Sequence, residues 1–177
     1  MEKLGVENKL IGFPNNNYMS SEKTRKRMDA GKVREEGKNE NLNTEDLIDM
    51  APDVIVSFSL NYSNPTLDKL QKSGLKVMLN GDWTEQSPLG KAEWIKFFGA
   101  LYGLNSKANT LFSEIEKEYN STLALAKKAT TKPTILSGAM FQDQWYVPQG
   151  ESWASLFLND AQSDYLWKDR NGKGSLT

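Results

Sequence analysis

Neither cysteine nor histidine occurs in the 177 residues of this sequence. The first absence excludes disulfides, thiolate zinc sites and a cysteine nucleophile. The second excludes a Ser-His-Asp triad, the commonest general base and any histidine-ligated metal. Long apolar runs are missing too: none approaches the roughly 18 to 20 residues that a membrane span needs. The opening Met1-Glu2-Lys3-Leu4-Gly5-Val6 carries no apolar core of the kind a signal peptide has, so a leader is expected to lie outside this sequence. Nor is charge of one sign in excess. With 22 basic and 23 acidic residues and a net charge of −1, the chain lacks the basic surplus of a dedicated nucleic-acid binder. What is present is a 38% hydrophobic and 10% aromatic content, adequate for a packed core.

The chain reads as an α/β protein. Leu4 to Phe13 is expected to hold the end of a helix, a loop and a strand. Pro14 to Asn43 has no clear period and reads mostly as loop, with one short helix near Ser21 to Met28. Asn43 is placed to cap a helix over Thr44 to Met50, which Pro52 ends. Val54 to Phe58 then reads as a buried strand. Asn64-Pro65 starts a second helix, Gly74 stops it, and Leu75 to Leu79 is the next strand. Helix, strand, helix, strand in that order argues for a parallel sheet.

An amphipathic helix is expected over Lys91 to Tyr102. A much longer one follows from an Asn105 cap to about Ala129, with Ala108, Leu111, Phe112, Ile115, Tyr119, Leu123 and Ala126 in one apolar stripe. Strands return at Thr134 to Ser137 and Trp145 to Val147, with a hairpin connection through Phe141 to Gln144. A short helix spans Glu151 to Asn159.

Candidate site residues sit where strands end, because ligands of open α/β sheets lie outside the carboxyl ends of the strands. The first segment gives Phe58, Asn61 and Tyr62. The next loop gives Asp82, Trp83 and Glu85, whose two carboxylates are the only pair suggestive of acid/base work. The third, Met140-Phe141-Gln142-Asp143-Gln144-Trp145-Tyr146, is dense in aromatics and amides, which suits a large amphipathic ligand. Trp153 opens the following helix, and the N–H groups of Gly150 to Trp153 are candidates for meeting an anionic group. Each segment has a plain structural alternative, as a loop or hairpin whose rings pack on the core. The basic cluster Lys23, Arg25, Lys26 and Arg27 reads as a solvated face diluted by nearby acids.

The order of these segments resembles a known family. Leu4-Gly5-Val6-Glu7-Asn8-Lys9-Leu10-Ile11-Gly12 resembles a segment of the substrate-binding proteins that serve bacterial ABC importers of iron-siderophore, haem and cobalamin. Leu47-Ile48-Asp49-Met50-Ala51-Pro52-Asp53-Val54-Ile55-Val56 is similar to their next element, and Leu67 to Val77 to the one after. The long helix followed by Lys132-Pro133-Thr134-Ile135-Leu136 resembles their backbone helix entering a second lobe. The resemblance implies two Rossmann-like lobes with parallel sheets, bridged by one long helix, with ligand held between them. It divides the chain into a first lobe over 1–104 that lacks its initial strand, the helix over 105–129, and the start of a truncated second lobe over 130–177.

The same resemblance implies a chelated-metal ligand contacting Phe58, Asn61, Tyr62, Asp82, Trp83, Glu85, Met140, Phe141, Gln142, Trp145, Tyr146 and Trp153. It implies ABC permease subunits as partners, and a periplasmic or lipid-anchored location at the cell surface. Catalysis, a cofactor, a protein-bound metal ion and a nucleic-acid partner are not expected. The competing reading is a Rossmann-like transferase or carboxylate hydrolase using Asp82 and Glu85, although no GxGxxG or phosphate-loop pattern is present.

Overall fold

The computed structural model describes residues 1–38, 41–59 and 64–176. It divides into two compact units, Met1–Gly81 and Asp82–Thr177.

The first unit is built on short parallel pairs. Strand β1 (Gly12–Phe13) is followed by helix α1 (Glu22–Asp29) and strand β2 (Arg34–Glu35), which pairs parallel with β1. Ser21 caps α1 by accepting from the Thr24 N–H. Strands β3 (Gly37–Lys38) and β4 (Asn41–Leu42) form an antiparallel ladder. Helix α2 (Thr44–Met50) starts at Asn43, whose side chain accepts from the Asp46 N–H, and ends at Ala51 in the left-handed region. Strand β5 (Ile55–Ser57), helix α3 (Pro65–Lys72) and strand β6 (Val77–Leu79) complete the unit, β5 and β6 pairing parallel. Asn64 caps α3, with Pro65 in its first turn. Gly74 follows at φ +88°, where a side chain would be strained.

Its core is Leu47 of α2 with Leu67 and Leu70 of α3, on which Leu42, Ile55, Leu75 and Val77 pack. Burying apolar faces of two helices against a parallel strand pair is the ordinary way an α/β layer excludes water. β1 falls in the strand expected within Leu4 to Phe13, whereas β2 to β4 differ from the loop expected over Pro14 to Asn43. Arg34 and Glu35 are exposed, so pairing there follows the backbone and leaves no apolar pattern to read.

The second unit begins with a 3-10 turn at Asp82–Thr84 and helix α4 (Pro88–Glu93), capped by Ser87. Helix α5 (Ile95–Leu101) follows directly, so the single helix expected over Lys91 to Tyr102 is broken at Trp94. Helix α6 (Asn105–Ala126) has 22 residues, or roughly 33 Å at 1.5 Å per residue. Asn105 is its first helical residue; the capping position is Leu104, which supplies no side-chain bond. Gly99 of α5 lies against Ala108 of α6 so closely that an added Cβ would stand 2.3 Å from the alanine's.

Strand β7 (Thr134–Ile135) pairs parallel with β10 (Asp164–Tyr165) across the intervening segment. Between them, β8 (Ala139–Phe141) and β9 (Gln144–Pro148) form the hairpin, and helix α7 (Trp153–Asp160) follows. The hairpin partner of β9 is thus β8 rather than the strand at Thr134. β11 (Ser175–Leu176) adds to the other side of β9. Tyr165 is 2% exposed and donates its hydroxyl to the Pro148 carbonyl at 2.7 Å, tying β10 to the end of β9. The fold class is the expected α/β, with parallel strand pairs in each unit and one long helix.

Candidate ligand-binding site

In the first unit, Phe58 follows β5 and is 53% exposed. Asn61 and Tyr62 lie outside the described residues. Exposure of a phenylalanine at the carboxyl end of a parallel strand is the feature an apolar ligand contact requires.

The second unit brings two of the predicted segments together through a residue that sequence reasoning passed over. Lys91 donates from Nζ to the Asp82 carbonyl at 3.1 Å. The same ammonium lies 5.2 Å from the centroid of the Trp153 ring. A cation over an indole face is attracted by the ring's quadrupole, so Lys91 ties the 3-10 turn to the first residue of α7. Within its own helix Lys91 reads as one more polar position, and no local signal marked it.

Trp83 stands on that turn and is 49% exposed; Trp153 is 41% exposed. Glu85 behaves differently. Its Oε1 accepts from the Trp94 indole N–H at 3.0 Å, and Oε2 lies against Gly90, where a Cβ would stand 2.7 Å away. Glu85 thus closes the start of α4, lining a shallow pocket with Gly90, Glu93, Trp94 and Phe97. The carboxylate is engaged in structure.

The hairpin forms its own aromatic group. Gln142 and Asp143 make the turn, both with positive φ, 48° and 61°. Left-handed backbone at both central positions is the geometry of a type I′ turn, which matches the twist of the flanking strands. Register pairs Met140 with Trp145 and Phe141 with Gln144. Met140 is 66% exposed, Phe141 61% and Trp145 41%. Tyr146 stands 6.4 Å from Phe141 between ring centroids and donates its hydroxyl to Gln144.

The expected anion-binding role of the Gly150 to Trp153 turn meets an obstacle. Three of its four N–H groups are spent: Gly150 donates to Arg170, Glu151 to Gly172 and Ser152 to Gln149. Ser152 is buried and caps α7 by accepting from the Ser155 N–H. Three members of the basic cluster are engaged locally. Lys23 approaches Glu2 and Glu7, Lys26 pairs with Glu22, and Arg27 donates to the Asn8 and Leu10 carbonyls. Among the described residues there is no group of three or more carboxylates arranged to hold a metal ion, and no helix long and apolar enough to cross a membrane.

A sequence model described as periplasmic binding protein matches residues 1–176. The chain belongs to the periplasmic binding protein family. Relatives include an uncharacterized lipoprotein of Methanocaldococcus jannaschii, 28% identical over 153 residues, with 85% of this chain and 36% of that one covered. A second uncharacterized lipoprotein of that organism is 27% identical over 130 residues, covering 72% of this chain and 33% of its own.

Among solved structures of such proteins, a possible iron-binding (periplasmic solute-binding) protein of Staphylococcus epidermidis superposes with a TM-score of 0.72 at 19% identity. The periplasmic heme-binding protein RhuT of Roseiflexus sp. RS-1, in apo form, superposes with a TM-score of 0.77 at 16% identity. Each similarity covers 99% of this chain and 64% of the other. At these identities the likeness is one of fold. The chain spans well under half the length of the lipoproteins and under two thirds of either solved chain.

Proposed function

We propose that this chain is part of the substrate-binding component of an ABC importer, which captures a chelated metal between two lobes and delivers it to a permease. The lobes are assigned to 1–104 and 130–177, either side of the helix over 105–129. The whole protein is extracytoplasmic and held by a lipid anchor, a reading supported by the lipoprotein relatives.

The observation that carries the ligand class is the set of exposed rings and Met140 at the strand ends. Phe58, Trp83, Met140, Phe141, Trp145 and Trp153 are each more than two-fifths exposed. Exposed apolar side chains of this kind, present in each unit, suit a large ligand read by surface contact, and a chelate hides its metal inside such a surface. With no histidine or cysteine to ligate a bare soft ion, the organic shell is what the protein reads. Names of structural neighbours as heme-binding proteins favour a porphyrin, with iron-siderophore and cobalamin as the other members of the class. The function is binding without bond-making. The competing carboxylate chemistry is disfavoured because Glu85 is committed to Trp94.

Tryptophan fluorescence tests this. Trp83, Trp145 and Trp153 are exposed, and haem, cobalamin or a ferric siderophore placed against them quenches emission. Saturable quenching by one of the three supports the reading and names the cargo. A longer parent chain that folds yet responds to none of them overturns the ligand class.

A further inference from the structure

Glu36 is 2% exposed. Both of its carboxylate oxygens are buried without a hydrogen-bond partner. Its backbone is fully used: the N–H donates to Phe13 and the carbonyl accepts from Asn43. The residue is locked between the end of β2 and the start of α2, and its side chain cannot swing freely outward. Gly12 on β1 supplies the space. A Cβ at that position would stand 2.9 Å from Glu36 Cγ and 3.4 Å from the Met50 methyl. The niche is thus glycine backbone on one side and a thioether on the other, neither able to solvate a charge.

Among the described residues, the charged groups that act on it are two. Asp46 on α2 repels an ionised Glu36, and Arg34 on β2 attracts it. Arg34 is exposed, so water screens much of its pull. β1 contributes no titratable group to the niche. A buried carboxylate without donors costs several kcal/mol in its charged form, and such groups neutralise instead.

We propose that Glu36 is a buried proton-binding site that couples the folding of the first unit to pH. With the proton on, the neutral acid fills the Gly12–Met50 niche. With it off, the charge must reach water, which requires the packing of β1 and β2 against α2 to open. The electrostatics agree: burial first and Asp46 second push the carboxyl above its ordinary 4.5, with Arg34 opposing. The inference concerns the first unit alone and is independent of the ligand-binding reading.

The sign follows from linkage. Below about pH 4.5 folded and unfolded chains both hold the proton, and the contribution is complete. As pH rises from there through the folded-state value, the unfolded chain has lost its proton and the folded chain retains it, so stability falls. All five tryptophans lie at or beyond residue 83, so indole fluorescence is silent here and two other readouts are needed.

The first is carboxyl carbon NMR of the whole chain labelled in glutamate, following Glu36 through its own Cγ correlation. Expected is a single glutamate titrating clearly above the rest; a midpoint within the ordinary glutamate range overturns the proposal. The second is amide exchange at Leu47 and Leu70 across pH in the wild type and in Glu36→Gln. Their opening constants, corrected for intrinsic exchange, should diverge by up to about tenfold per pH unit within the window. Parallel profiles overturn it. Where Glu36→Gln fails to fold, the NMR midpoint decides alone. A titration that moves on adding calcium at constant ionic strength also overturns it, by making the site one for a metal cation.

Discussion

Lys91 Nζ sits 5.2 Å from the Trp153 ring centroid while donating to the Asp82 carbonyl. One ammonium thereby fixes two segments that are far apart in sequence. Replacing Lys91 with Met keeps the stem and removes the charge. Expected is a loss of about 0.5–1 kcal/mol of stability, a change in Trp153 emission, and faster amide exchange over 82–87 than elsewhere in the second unit. Unchanged exchange there would show that the turn holds itself.

Glu85 offers the contrast between a reactive and a structural carboxylate. Glu85→Leu strips the Trp94 indole N–H of its acceptor. Leaving that donor unpaired in a part-buried site should cost about 1–3 kcal/mol, read as a lower urea midpoint by tryptophan fluorescence. Glu85→Gln retains an acceptor oxygen and should recover most of the loss.

Tyr119 on α6 donates its hydroxyl to the Asp160 carboxylate on α7. Burial, then that bond and the aspartate's charge, push its phenol up to about 12. The folded state therefore holds the proton where the unfolded chain has released it. Stability from this group is complete below pH 10 and is lost as pH climbs toward 12. Burial also raises the phenols of Tyr102 and Tyr165, so tyrosinate absorbance should show more than one phenol ionising late, and Tyr119→Phe should remove the step near pH 12.

Leu70 is fully buried at the centre of the first unit. Leu70→Ala leaves a hole ringed by Leu47 and Leu67 and should cost about 2–5 kcal/mol. Amide exchange across residues 44–79 measures it, since the tryptophans report only on the other unit.

Much of the frame was legible because its signals are local. Asn43 and Asn64 are caps, and Gly74 is a stop, whose chemistry is settled within four residues of chain. The Asp82 to Trp153 connection was not legible, because Lys91 sits in a helix pattern that explains it without remainder. β2 to β4 were missed for a related reason: two-residue strands pair through backbone alone and need no apolar alternation. The break at Trp94 escaped because Trp94, Ile95 and Phe98 keep helical spacing across it. At the site, exposure of the strand-end aromatics follows from the fold, whereas a composition-level reading cannot separate an exposed ring from a core one. Glu85 illustrates the reverse error, a carboxylate in a promising loop that serves the helix behind it.

The hairpin of β8 and β9 takes its register from the Gln142–Asp143 turn and its anchorage from Val147, which is buried, and from Pro148, which receives the Tyr165 hydroxyl. Met140, Phe141 and Trp145 lie on the same ribbon and are each more than two-fifths exposed. Their replacement should leave the turn, Val147 and the Pro148–Tyr165 bond in place. Under the proposed function, such a ribbon lets ligand contacts change without loss of the fold, which makes 140, 141 and 145 the first positions to randomise in a library seeking altered selectivity.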